Sequence, residues 1–70
     1  MKEYLVIIEH GRESFGAYVP DLPGCVAVGE TQEEVEKLIK EAIQLHIEAM
    51  RDDGEQVPEP TSTPIRVMVA

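Results

Sequence analysis

The sequence predicts an α+β domain of order βββαβ, and three observations predict it. Three short runs rich in apolar residues come first, separated by polar or Pro-Gly turns. One long amphipathic pattern with a helix-start signal follows. A last apolar run closes the chain after a proline-rich connection.

KEYLVIIEH, residues 2–10, is rich in branched and aromatic side chains and short for a helix, so it reads as a strand. Leu5 and Ile7 alternate with Tyr4, Val6 and Ile8. Both faces are therefore apolar, as in a strand covered on two sides. GRES turns the chain, and FGAYV, residues 15–19, sets Phe15, Ala17 and Val19 against Gly16 and Tyr18 as a second strand. Pro20 ends that strand, because it fixes φ and has no N–H to give to a ladder. Pro23-Gly24 fits the central positions of a type II turn, where glycine supplies the positive φ. Asp21 is placed to bond backbone N–H groups two residues on. Leu22 then stands at the apex, either tucked under the corner or offered to a partner. CVAVG, residues 25–29, is a third strand that completes an antiparallel meander.

Thr31-Gln32-Glu33-Glu34 matches the capping box, with Thr31 as N-cap and Glu34 reaching back to its backbone N–H. Glu33 and Glu34 also set negative charge at the positive end of the helix dipole. Val35, Leu38, Ile39, Ala42, Ile43, His46, Ala49 and Met50 recur at helical spacing and predict a helix over residues 32–51. Arg51 suits the last turn and Gly54 the stop. Residues 52–64 are an acidic, proline-rich connection, and IRVMV, residues 65–69, is a final strand with Ile65, Val67 and Val69 on one face. A right-handed crossover lays it beside the first strand, in the order 3-2-1-4. One helix covers one face of such a sheet. The other, with Tyr4, Val6 and Ile8 assigned to it, is expected to meet a second copy of the chain.

Composition bounds the function. Seventy residues make one small domain that usually needs a supplement to its core. A single cysteine allows no intrachain disulfide, and one cysteine with two separated histidines makes no closed zinc site. Self-association is the supplement that remains, as a homodimer or a larger closed oligomer. No run reaches the roughly 20 apolar residues of a membrane span, and no signal peptide opens the chain. A reduced cytoplasmic protein is expected. The net charge of −8 repels phosphate backbones and would steer the domain toward a basic partner. It also keeps a small protein soluble.

No chemistry-bearing constellation is apparent. Cys25 has no neighbouring His, Lys or Arg and reads as a structural thiol. His10 sits at a strand end, His46 beside the apolar stripe, and Ser14 and Ser62 have no adjacent base. There is no glycine-rich phosphate loop, and no cofactor or metal is expected.

The pattern F-x-A-x-V-P-D-L-P-G-C, followed by G-x-T-x-E-E opening a helix that carries E-A-I, resembles the HicB family of antitoxin-like domains. The resemblance runs from about residue 2 to residue 50 and takes in the final strand. It implies a partial RNase H-like βββαβ fold and a non-catalytic interaction module. Such modules bind and neutralise HicA, a small basic toxin that cleaves mRNA with a double-stranded-RNA-binding-domain fold, by masking its RNA-binding surface. Asp21, Leu22, Glu33 and Glu34 are the expected partner contacts; Pro20, Pro23, Gly24 and Thr31 are the structural turn and cap. Full-length HicB antitoxins add a DNA-binding segment, and the sequence ends at Ala70 directly after the last strand, so the resemblance does not extend to DNA binding. Two other readings stand beside it: an orphan oligomeric scaffold or small-ligand-binding domain, and an RNase H-like nucleic-acid-processing enzyme. The second is disfavoured, because active members hold a carboxylate in mid-strand where this chain has only Tyr4 to Ile8, with Glu9 near the strand's end.

Overall fold

The computed structural model describes residues 2–70. Strands β1 (Ile7–His10), β2 (Phe15–Tyr18) and β3 (Val26–Gly29) precede one helix, α1 (Gln32–Asp52). The sheet is antiparallel in the order β1-β2-β3. The meander and the helix are those the sequence predicts, with shorter strands.

The register explains the shortening. Ile7 pairs with Tyr18, and beyond it Val19 donates its N–H to the Cys25 carbonyl while Pro20 has none to offer. Residues 2–6 therefore have no ladder partner on β2. Rows Ile8–Ala17–Ala27 and His10–Phe15–Gly29 share the face toward α1. The imidazole of His10 stacks on the ring of Phe15 at 4.2 Å within that second row. Rows Ile7–Tyr18–Val26 and Glu9–Gly16–Val28 share the opposite face.

The core lies between sheet and helix and consists of Ala17, Val19, Leu22, Cys25, Val35 and Ile39. Tyr4, Val6 and Ile8, expected to face a second copy, pack against this core instead. The parity of the register decides it, since Ile8 shares its row with buried Ala17. The face left open carries Val26 and Val28, 62% and 67% exposed.

Helix α1 is capped at both ends. Thr31 Oγ1 accepts from the Glu34 N–H at 3.1 Å, as predicted. The reciprocal bond differs by one residue, because Glu34 Oε1 accepts from the N–H of Glu30 rather than Thr31. At the other end Gly54, at φ +73°, donates to Arg51, and Glu55 donates to Met50 at 2.8 Å. This is a Schellman motif, and its left-handed position requires the glycine. Thr31→Ala, which leaves the Glu34 N–H without its acceptor, is expected to cost about 0.5–2 kcal/mol in chemical denaturation.

The fourth strand is not formed. Residues 65–69 make no strand, and among the described residues the sheet has three members. Ile65, Val67, Met68 and Val69 are among the most exposed apolar side chains of the chain. Ordering a residue's backbone costs roughly 1–2 kcal/mol, and here no apolar surface of the same chain covers the ordered side chains in return. The radius of gyration of 13.5 Å exceeds the roughly 11 Å of a compact chain of this length, as an extended arm requires.

Candidate interaction surface

The corner between β2 and β3 is two consecutive turns. Leu22 N–H donates to the Val19 carbonyl and Cys25 N–H to the Leu22 carbonyl, both at 3.1 Å. In the second turn Pro23 and Gly24 occupy the central positions, and Gly24 has φ +83°, so the turn is of type II as predicted. Its geometry sends two neighbouring side chains in opposite directions.

Leu22 goes inward and is fully buried. As a partner contact it is ruled out, and as the plug of the corner it is explained by the paired turns that aim it at Val35 and Ile39. Cys25 follows it into the core, where burial pushes the thiol pKa up. A buried, protonated thiol is a structural residue rather than a nucleophile.

Asp21 goes outward but is not free. Its carboxylate accepts from the N–H groups of Thr61 and Ser62 at 3.1 and 3.0 Å and from their hydroxyls at 3.0 and 3.1 Å. The predicted local turn bond is replaced by this long-range clamp on the connection. The Ser62 N–H is the largest influence on the Asp21 carboxyl. Partial burial opposes it, and with the hydroxyls and the Thr61 N–H the bonds hold the pKa below its ordinary 3.8. A depressed acid contributes its full stabilisation above the ordinary pKa and loses it as pH falls through the folded-state value. Acidification below the ordinary value is thus expected to release the clamp, read as movement of the Thr61 and Ser62 amide resonances in an NMR titration.

The connection is fastened at a second place. The Tyr4 hydroxyl donates to the Pro58 carbonyl, and Lys2 pairs with Glu59 at 3.1 Å. The sequence does not reveal either fastening, since the partners lie about fifty residues apart with no shared motif.

Acids remain available elsewhere. Glu33 and Glu34 stand exposed on the first turn of α1, Glu34 with one oxygen in the cap. Glu30 lies just before them, also exposed. Further along, Gln32 Nε2 donates to Glu36 at 3.2 Å. Glu36 with Lys40 and Lys37 with Glu41, each four residues apart on α1, do not close as ion pairs; among the described residues the ion pair is Lys2–Glu59. No group of three or more His, Cys, Asp or Glu residues is placed to hold a metal ion, and no helix is long and apolar enough to cross a membrane, among the described residues.

Comparison with known proteins gives these features a setting. The family model for HicB-like antitoxins of bacterial toxin–antitoxin systems matches residues 4–69. An uncharacterized 14.9 kDa protein of Haemophilus phage HP1 is 42% identical over 62 residues, which are 89% of this chain and 45% of that protein. A UPF0150 protein of Thermoplasma acidophilum is 36% identical over 93% of this chain and 96% of its own length. This chain thus spans less than half of the phage relative and nearly all of the archaeal one. Among solved structures, a chain of the HicA3 and HicB3 toxin–antitoxin complex superimposes with a TM-score of 0.74 at 36% identity, covering 87% of this chain and 71% of that one. With the family model spanning strands, corner, helix and connection alike, the chain belongs to the HicB-like antitoxin family.

Proposed function

We propose that this domain is a non-catalytic neutralising module that binds a small basic HicA-like toxin and masks its RNA-binding surface. The observation that carries the reading is the likeness, in fold and in sequence, to a chain of a toxin–antitoxin complex. The charge of −8 supports it, because a basic RNA-binding surface is complementary to an acidic one. Of the four contacts expected from sequence, Glu33 is the freest to serve, with Glu34 beside it. Leu22 is buried, and Asp21 is committed to the connection.

The test is binding to a basic protein encoded beside the gene or co-purified from the native cell. Affinity should fall as salt rises, since the screening length shrinks from about 10 Å at 0.1 M to about 3 Å at 1 M. Glu33→Lys should weaken binding about tenfold at the lower salt and less at the higher, with folding intact. Wild-type affinity in that variant would move the contact off the start of α1. Failure to recover any basic partner would leave the orphan scaffold or small-ligand reading in its place.

A further inference from the structure

Two features of the fold have no use within one chain. The outer edge of β1 is unpaired, because β1 is an end member of the sheet. Its N–H and C=O groups there await a strand. The arm, residues 65–69, has a strand's alternation and no strand partner; Met68 is 98% exposed and Ile65 81%.

The arm's root is fixed. Asp21 grips Thr61 and Ser62, and Pro64 follows two residues on. Pro64 and Arg66 line a groove of about 460 Å³ that also takes in residues 5–8 with His10, Phe15 and Gln32. The arm therefore starts alongside residues 5–8 but makes no strand with them. Charge agrees with an incoming strand of the arm's own type. Arg66 is the only charged side chain of residues 61–69, whereas β1 itself carries Glu9 and the segment before it Glu3. The arm thus brings a positive charge to a strand edge that carries negative ones.

We infer that the arm is exchanged: residues 65–69 of one copy pair with the β1 edge of a second copy, which returns its own arm. A two-fold pair satisfies both open edges and both arms in one closed contact. Each arm then buries Ile65, Val67 and Val69 or their opposite face in the groove beside β1, which its own chain leaves unfilled. A toxin strand could occupy the same edge, but it would leave the arm exposed and would have to approach past Arg66. This inference does not depend on the proposed function, and its test needs no toxin.

The experiment is sedimentation of the full chain from low to high micromolar concentration, paired with hydrogen exchange of the arm amides at each concentration. We expect a twofold mass, with arm exchange slowed at least about tenfold in step with that mass. Val67→Pro removes an arm N–H and should return the chain to monomer with its helical signal unchanged. An undiminished twofold mass in Val67→Pro overturns the proposal and assigns the contact to another face, such as that of Val26 and Val28. Arm protection that is already complete in the monomer means pairing with the chain's own edge and overturns it as well. Protection that appears only on adding a basic protein gives the edge to that protein. Should Val67→Pro not fold, exchange in the unaltered chain decides alone.

Discussion

Leu22→Ala is expected to destabilise the domain by about 2–5 kcal/mol, the range for truncating a fully buried leucine. A chain of this length has roughly 4–10 kcal/mol to lose, so the variant should be partly or wholly unfolded at moderate denaturant. The size of the effect follows from position. Leu22 is 0% exposed although it sits in a turn, and it shares the core with Val35 and Ile39 of α1. Its backbone is fixed by a bond on each side, Leu22 N–H to Val19 and Cys25 N–H to Leu22, so the corner has little freedom to collapse into the cavity. Leu22→Met, which keeps the volume, should cost less than about 1.5 kcal/mol. Chemical denaturation of both variants is the measurement. A loss below 1 kcal/mol in Leu22→Ala would mean that the corner is not plugged. Because the same corner holds Asp21 outward against Thr61 and Ser62, Leu22→Ala should also loosen the root of the arm, visible as faster exchange of those two amides.

The legibility of this fold in its sequence divides along range. Where the determinant is local, the residues suffice. Pro23-Gly24 dictates a type II turn through φ alone, and Thr31 with Glu34 announces a helix start through bonds that close within four residues. The apolar spacing of α1 likewise fixes which side faces the sheet. Where the determinant is a choice between two equivalent faces, sequence alone is ambiguous. Tyr4, Val6 and Ile8 alternate with Leu5 and Ile7 equally well in either orientation, and only the pairing of Ile8 with Ala17 settles which set is inside. The last strand fails for a third reason. IRVMV has strand chemistry, but a strand needs an edge and a cover, and pattern cannot say whether the same chain supplies them. Of the expected contacts, Leu22 and Asp21 were visible as special residues of the corner. Their roles, core plug and long-range clamp, depend on distant segments that no local motif encodes.

Gly29→Ala is the second substitution expected to be costly, by about 1–3 kcal/mol, as for other insertions into a packed contact. The glycine is not there for its backbone freedom, since among the described residues only Gly24 and Gly54 have positive φ. It is there for closeness. A Cβ at position 29 would stand 2.9 Å from the Val35 backbone nitrogen and 3.2 Å from its Cα. Neither atom can rotate aside, because Val35 N–H is already bonded to Thr31 and its side chain is fully buried. The extra methyl must push the first turn of α1 off the end of β3. That displacement separates the effect from simple loss of stability, because the first turn carries Thr31, Glu33 and Glu34. Gly16→Ala supplies the comparison: it lies in β2 on the open face, at ordinary φ, with nothing within 4 Å of an added Cβ. There the change should be neutral or stabilising by up to about 1 kcal/mol, through lower entropy of the unfolded chain. Unfolding free energies of the two variants should thus move in opposite directions or differ by at least about 1 kcal/mol. In Gly29→Ala the Glu34 amide should lose the protection that its bond to Thr31 confers, and affinity for a basic partner should drop even where the fold survives. Equal midpoints for the two variants would show that α1 rides up freely, and that the tight joint between β3 and α1 does not set the position of the helix-opening acids.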